Sequence, residues 1–206
     1  GRYFIQAAAQ LKGTTVELMK MGEPGVPEMN AYIEEVLKEG ETLGFDGRVV
    51  SVGEGEGYAA IAGKKNAKVN YQVDLIDEIW EDRPVLSEEP AFNLDVKYAG
   101  ETVASKLARI REEMKEAGTN VHVVSTIDDI CWTLNIRGND IDFFPLVLSY
   151  GIITMDSFEL YIDEKKLDDK LKAKLAKDGV NLHPYNDIYE DVKKFGSDVV
   201  AMIDPG

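Results

Sequence analysis

The chain has 206 residues, a length compatible with one large or two small domains. Its hydrophobic content of 44% is ordinary for a protein that buries a core. Its net charge of −15 argues against nucleic acid or a membrane surface as a partner, because both attract basic surfaces.

The single cysteine excludes an internal disulfide and fits a reducing compartment. No apolar run approaches the roughly 20 residues that a transmembrane helix needs, and the first residues do not read as a signal peptide. We therefore expect a cytoplasmic protein with no membrane partner.

The first part of the chain predicts alternating strands and helices. Residues 3–9 (YFIQAAA) predict a strand that runs into a short helix, and residues 28–37 predict an amphipathic helix. Short strands are predicted at residues 42–45 and 69–73. A helix capped by its first residue is predicted at residues 74–80.

The glycine-rich segment at residues 53–57 (GEGEG) has the spacing of a phosphate-binding loop. We interpret it instead as a flexible turn before a helix at residues 59–65. Glu54 and Glu56 would repel a phosphate, and no Gly-Lys-Ser or Gly-Lys-Thr follows.

The segment RPVLSEEP at residues 83–90 has two prolines, an acidic composition and no periodicity, which is typical of a linker. We therefore predict a first domain at residues 1–83, a linker at 84–90 and a second domain at 91–206.

The second domain is predicted to contain the longest helix, at residues 102–117, which Gly118 ends. The central stretch, residues 121–163, predicts a strand, a short helix, a polar loop and two further strands, which is the middle of a mixed α/β sheet. Within it, the helix is predicted at residues 127–134, the loop at 135–140 and the two strands at 146–155 and 158–162. The remaining elements are predicted in the order helix, strand, helix, strand, at residues 168–177, 180–184, 188–195 and 199–203.

The order of predicted elements also suggests a weak internal repeat. The predicted order strand-helix-strand-helix occurs from residue 4 to about residue 52 and again at residues 158–195. In this comparison residues 3–6 align with residues 160–163. We interpret this order as two tandem copies of one α/β unit, the first without its front half.

The sequence offers no convincing catalytic or metal site of its own. His122 lies in an apolar run, which favours a half-buried structural imidazole over a general base, and His183 is interpreted as a surface imidazole. Cys131 is expected in the core. Neighbouring acids such as Asp128 and Asp129 point in different directions on a helix, and the chain has no His-Glu-x-x-His or Cys-x-x-Cys.

Three ordered segments carry a family resemblance. Residues 126–141 (TIDDICWTLNIRGNDI) resemble the second-domain signature of Xaa-Pro aminopeptidases, which is followed by a proline and a Ser-Tyr strand, here Pro145 and residues 149–150. Residues 1–7 (GRYFIQA) and 74–84 (DLIDEIWEDRP) resemble two segments near the end of that family's first domain. Together they resemble the N-terminal region of the creatinase/prolidase superfamily.

The resemblance implies an α/β fold of tandem creatinase/prolidase N-terminal-type domains, with a mixed β-sheet flanked by helices. It implies that this chain is a portion, cut at both ends, of a hydrolase that removes the N-terminal residue preceding a proline. In that family two divalent metal ions, which we expect to be manganese, and their ligands belong to a C-terminal catalytic domain. We therefore expect no catalytic residue, cofactor or metal in this chain.

The same resemblance implies three partners: the C-terminal catalytic domain, a second copy in a homodimer, and a peptide substrate with proline in second position. The N-terminal domains of that family cover the mouth of the active site, so we expect a role in substrate access and oligomerisation. A stand-alone α/β binding or scaffold protein without peptidase activity remains the alternative.

One loop of this chain matches the family's signature residue by residue. We hypothesise that Asn135 and Arg137 face the mouth of the active site or hold the loop that does, with Asp140 as a further anchoring candidate. Arg137 is the better contact candidate, since a guanidinium can fork to a carboxylate or to carbonyls. The alternative is that Arg137 pairs with Asp140 or Asp142 and only fixes the loop.

Overall fold

The structure, a computed structural model, describes residues 2–204. These residues are mixed α/β, as the sequence predicts, with helices flanking short β-sheets. They divide into two compact units, one ending at Arg83 and the other running from Pro84 to Asp204.

The first unit is built around two short parallel strands. Its elements are α1 (Arg2–Gln10), α2 (Met29–Val36), β1 (Thr42–Gly44), α3 (Val52–Lys64) and β2 (Lys68–Asn70). Leu43 of β1 lies opposite Val69 of β2, and α3 forms the crossover between them. Its small core is formed by three buried side chains, Leu37 directly after α2 and Ile61 and Ala62 of α3.

Residues 3–9 are predicted to form a strand that runs into a short helix; the helix is confirmed but the strand is wrong, because all these residues lie in helix α1. A strand needs a neighbour to satisfy its backbone N–H and C=O groups, and the described sheet of this unit contains β1 and β2 only. A helix satisfies those groups internally, and the alanines at residues 7–9 favour it.

The predicted turn at residues 53–57 is also wrong, because α3 already begins at Val52. The Ser51 hydroxyl accepts a hydrogen bond from the Glu54 N–H, and the Glu54 carboxylate accepts one from the Ser51 N–H. This capping box starts the helix although each glycine costs about 1 kcal/mol relative to alanine. The helix predicted at residues 74–80 forms only a turn, in which Asp74 Oδ1 accepts hydrogen bonds from the N–H groups of Ile76 and Asp77.

The second unit contains a five-stranded mixed sheet with the strand order β8-β7-β6-β4-β9. Its elements along the chain are β3 (Phe92–Asn93), α4 (Val96–Ala99), α5 (Val103–Glu116), β4 (Val121–Val124), α6 (Ile127–Leu134), β5 (Ile136–Arg137), β6 (Tyr150–Thr154), β7 (Phe158–Tyr161), α7 (Asp169–Lys177), β8 (Val180–His183), α8 (Ile188–Asp191) and β9 (Ala201–Met202). Single 3₁₀ turns lie at Glu164–Lys166, Tyr185–Asp187 and Val192–Lys194. β6 runs antiparallel to β4 and β7, whereas β8 and β9 run parallel to their neighbours.

Both faces of this sheet are covered. Side chains of α5, α6 and α7, such as Leu107, Ile130 and Leu175, pack on one face in the larger core. On the other face Tyr161 and the α8 residue Ile188 form a smaller cluster with Val121 and Ile152. The predicted helices at 102–117, 127–134 and 168–177 are confirmed, as are the strands at 158–162 and 180–184.

The internal repeat fails in the register that the sequence suggested, because residues 3–6 are helical whereas Leu160 and Tyr161 lie in β7. The two units do share a strand, a helix and a parallel strand in succession. These are β1-α3-β2 in the first unit and β7-α7-β8 in the second.

Candidate functional site

The predicted loop begins where helix α6 ends. Asn135 follows the last helical residue with a left-handed backbone (φ 52°), which asparagine adopts more readily than most residues. Its side chain and backbone are buried, with 3% of the residue exposed. Its carbonyl oxygen accepts a hydrogen bond from the Leu94 N–H at 2.7 Å, next to the antiparallel pair of β3 and β5. The start of the loop is therefore fixed.

A buried lysine holds the Asn135 side chain. Lys106 of α5 is 1% exposed, and its Nζ donates to Asn135 Oδ1 at 2.7 Å and to the Trp132 carbonyl oxygen at 2.6 Å. Asn135 Nδ2 in turn donates to the Glu101 carbonyl oxygen at 2.9 Å. Burial lowers the pKa of Lys106, and the neighbouring Glu101 carboxylate opposes that shift.

An exposed tryptophan lies above this network. Trp132 is 41% exposed, and its ring centroid lies 4.3 Å from Lys106 Nζ and 5.7 Å from Arg109 Cζ. Arg109 also donates to both carboxylate oxygens of Glu101, and the Ser105 hydroxyl donates to one of them. Hydrogen bonds from both side chains favour the charged carboxylate, with Arg109 contributing most, and lower the pKa of Glu101 to about 2.

Arg137 is tied to the backbone through one nitrogen. Its Nη1 donates to the carbonyl oxygens of Cys131 and Ile136, both at 2.7 Å. Within the described residues its Nε and Nη2 make no hydrogen bond, and its side chain forms no ion pair with Asp140 or Asp142. The alternative of a local Arg–Asp pair is therefore wrong for the described residues. The half-buried guanidinium therefore keeps two nitrogens, Nε and Nη2, available to a ligand.

Asp140 closes the other end of the loop. Its Oδ2 accepts from Lys166 Nζ at 2.5 Å and from the Leu148 N–H at 2.7 Å. The two charged side chains are 1% and 2% exposed, so this ion pair is buried. The second carboxylate oxygen, Oδ1, is buried and has no hydrogen-bond partner among residues 2–204.

Between these two fixed points the chain passes close to itself. A Cβ at Gly138 would lie 2.6 Å from Val147 Cγ2, so only glycine fits there. Beyond Asp140, Ile141 and Phe144 form an isolated antiparallel bridge that folds the chain back on itself. Phe143, between them, has a left-handed backbone (φ 69°) and a fully exposed side chain.

The three sequence candidates, Asn135, Arg137 and Asp140, therefore belong to one anchored loop. The sequence analysis missed both lysines that hold it. The burial of Lys106 could have been predicted, since this residue lies on the apolar face of the predicted helix at residues 102–117. No sequence pattern identifies Lys166, because its partner Asp140 lies 26 positions away and only the fold brings the two together.

The other residues considered for chemistry are structural. His122 is half-buried with its Nδ1 3.2 Å from the Met202 carbonyl oxygen, which confirms that interpretation. His183 is not a free surface imidazole: its Nε2 lies 2.6 Å from Glu159 Oε2 and its ring stacks on Tyr161. Cys131 is buried as expected, and burial raises the pKa of its thiol.

Residues 2–204 contain no group of three or more His, Cys, Asp or Glu side chains that could hold a metal ion. These residues therefore offer no site for the pair of metal ions, which the family resemblance places in a C-terminal catalytic domain. No helix in the described part of the chain is long and apolar enough to cross a membrane.

The family described as the Creatinase/Prolidase N-terminal domain matches residues 82–206. Aminopeptidase P2 of Arabidopsis thaliana is 38% identical over an alignment that covers 93% of this chain and 27% of the plant protein. Xaa-Pro aminopeptidase app-1 of Caenorhabditis elegans is 36% identical over 92% of this chain and 31% of the worm protein. The chain thus spans less than a third of the length of these relatives.

A crystal structure agrees with the sequence comparisons. The X-prolyl aminopeptidase of Caenorhabditis elegans, described as a cytosolic enzyme with a di-nuclear active site, superposes with a TM-score of 0.89 at 30% identity. The superposition covers 100% of this chain and 38% of the worm chain.

Proposed function

The chain belongs to the creatinase/prolidase N-terminal domain family, and on that basis we propose that it is the non-catalytic N-terminal portion of a longer Xaa-Pro aminopeptidase. Such a hydrolase removes the N-terminal residue that precedes a proline. One observation carries the proposal: more than nine-tenths of this chain aligns with two such aminopeptidases, of which it covers only 27% and 31%.

The proposal assigns the chemistry to polypeptide beyond this chain. The worm relative is described as having a di-nuclear active site, whereas residues 2–204 offer no ligand group for a metal. We place two divalent metal ions, manganese in this proposal, in the C-terminal catalytic domain, and we expect the 206-residue chain alone to be inactive.

Within the whole protein this chain controls access of the peptide to the active site. Arg137 carries that role in the proposal, since its Nε and Nη2 have no partner among the described residues and a guanidinium recognises carboxylates and carbonyls through paired N–H groups. Asn135 and Asp140 hold the loop through Lys106 and Lys166, and so limit the motion of Arg137.

The domain assignment follows the same proposal. Residues 1–83 are the C-terminal part of a first creatinase N-terminal-like domain, residues 84–90 a linker and residues 91–206 the second such domain. The proposed partners are the catalytic domain of the same polypeptide, a second copy in a homodimer, and a peptide with proline in second position. The proposed compartment is the cytoplasm, since the worm relative is described as a cytosolic enzyme.

Steady-state kinetics of the longer polypeptide test the role of Arg137. Arg137→Met should raise KM for a peptide with proline in second position by about 10- to 150-fold, because a charge-assisted hydrogen bond is worth about 1.5–3 kcal/mol. The value of kcat should change little, since Arg137 is not placed at the reacting atoms. Lys193→Met, at a side chain that is 67% exposed, serves as the charge-matched control.

A KM for Arg137→Met within the error of the wild-type value, with the far-ultraviolet circular dichroism spectrum retained, would remove Arg137 from the substrate path. Absence of any hydrolysis by the longer wild-type polypeptide, supplied with manganese, would favour the scaffold function instead.

A further inference from the structure

The chain projects an apolar tip just beyond the loop that carries Arg137. We define the loop tip as Ile141, Phe143 and Phe144, which are 36%, 100% and 60% exposed. Large apolar side chains scattered singly are normal on a protein surface, but neighbouring ones on one projection are typical of an interaction site.

This loop tip is held in one shape. The Phe144 N–H donates to the Ile141 carbonyl oxygen at 3.1 Å, and the Leu146 N–H donates to the Phe144 carbonyl oxygen at 2.8 Å. The buried Asp140–Lys166 ion pair fixes the residue just before the loop tip. A preorganised projection loses little conformational entropy on binding.

Phe143 adds an observation that folding of the loop does not explain. Its φ of 69° is unfavourable for a bulky side chain, and its side chain contacts nothing that would compensate, since it is fully exposed. Strained residues of this kind cluster at sites that bind something.

We propose that the loop tip inserts, as a preformed hydrophobic projection, into an apolar pocket on the part of the polypeptide that the aminopeptidase relatives carry beyond the matched segment. The inference rests on the proposed function, because it requires that this chain continue into such a polypeptide. The partner is available in that case: the chain covers only 38% of the solved worm aminopeptidase and 27% of the plant relative.

Charge favours this partner over a second copy of the chain. The chain carries a net charge of −15, and Asp142 lies between Ile141 and Phe143 of the loop tip. A two-fold contact through the loop tip would bring Asp142 towards its own copy, and like charges brought together at an interface oppose association.

Hydroxyl-radical footprinting of Phe143 tests the proposal in the longer polypeptide. Its oxidation rate is measured in the native protein, in the same polypeptide unfolded in urea and in the 206-residue chain, with Tyr98, 72% exposed, as the internal control. Insertion predicts a native rate at least about five-fold below the rates in the other two samples, because the centre of an interface excludes water. The rate at Tyr98 should change much less.

Two results would overturn the proposal. One is a Phe143 rate in the native longer polypeptide equal to the unfolded rate. The other is protection of Phe143 in the 206-residue chain that grows with protein concentration, which would make a second copy the partner. Hydrolysis of an Xaa-Pro peptide is measured on the same sample: activity with an unprotected Phe143 rejects the loop-tip contact alone, whereas inactivity rejects the proposed function.

Discussion

Asp140→Asn removes one charge from the buried ion pair that holds the candidate loop. Asp140 Oδ2 bonds Lys166 Nζ at 2.5 Å and the Leu148 N–H at 2.7 Å, and the two charged side chains are 1% and 2% exposed. Asparagine keeps an oxygen for the Leu148 N–H but leaves Lys166 charged and buried. Among the described residues Lys166 has no other ion-pair partner.

The magnitude follows from that uncompensated charge. Removing one partner of a buried ion pair costs about 3–5 kcal/mol, mainly because the other charge stays out of water. Lys166→Met should cost a similar amount, since it leaves the Asp140 carboxylate buried with one backbone donor. The double variant removes both charges, so its loss should be smaller than the sum of the two single losses by at least about 2 kcal/mol.

Urea unfolding measured through Trp132 fluorescence, in a Trp80→Phe background, reports on the second unit alone, because Trp80 and Trp132 are the two tryptophans of the chain. The exposed pair Glu190 and Lys193, with 69% and 67% of their side chains exposed, provides the matched control cycle. Its coupling should stay below about 1 kcal/mol. Single losses under about 1 kcal/mol at Asp140 and Lys166, or losses that simply add, would refute the ion pair as the anchor of the loop.

Three further predictions concern the same unit. Lys106→Met should lower the free energy of unfolding by about 2–4 kcal/mol, because it leaves Asn135 Oδ1 without a donor and the Trp132 carbonyl oxygen with only the Asn135 N–H at 3.4 Å. Lys174→Met, at a side chain 30% exposed, should cost less than about 1 kcal/mol in the same urea titration. Phe143→Asn should raise that free energy by about 0.5–1 kcal/mol, since asparagine tolerates the left-handed backbone, and Phe144→Asn should give no such gain. Glu101 has a pKa lowered from 4.5 to about 2, so its stabilising contribution is complete above about pH 5 and is lost as the pH falls towards 2. Unfolding of Glu101→Gln over a pH series should therefore show a deficit at pH 7 that disappears towards pH 2, and a deficit independent of pH would contradict the assignment.

The sequence predicted best the elements whose periodicity is strong. The helix at residues 127–134 has the bounds expected, and the longest helix, α5, lies within one residue of its expected ends. An apolar face repeated along these segments agrees with the core that they form, so local pattern and tertiary packing favour the same structure.

The predictions were wrong or incomplete where two local signals competed, or where residues distant in sequence determine the structure. At residues 53–57 the glycines argued for a turn, but the Ser51–Glu54 capping box started a helix. At residues 3–9 the side chains suited a strand, but these residues form helix α1 and pair with neither strand of the described sheet of the first unit. The contacts of Asn135 and Asp140 depend on lysines 29 and 26 positions away, which no local pattern identifies.

Release of the N-terminal residue from a peptide with proline in second position distinguishes a portion of a peptidase from a scaffold protein. The assay compares the longer polypeptide with the 206-residue chain at equal concentration, each supplied with manganese, and uses a peptide with alanine in second position as the control substrate. We expect the longer polypeptide to cleave the proline peptide in preference to the alanine peptide, and the 206-residue chain to cleave neither. Cleavage of the proline peptide by the 206-residue chain, or no cleavage by the longer polypeptide, would contradict the proposed function.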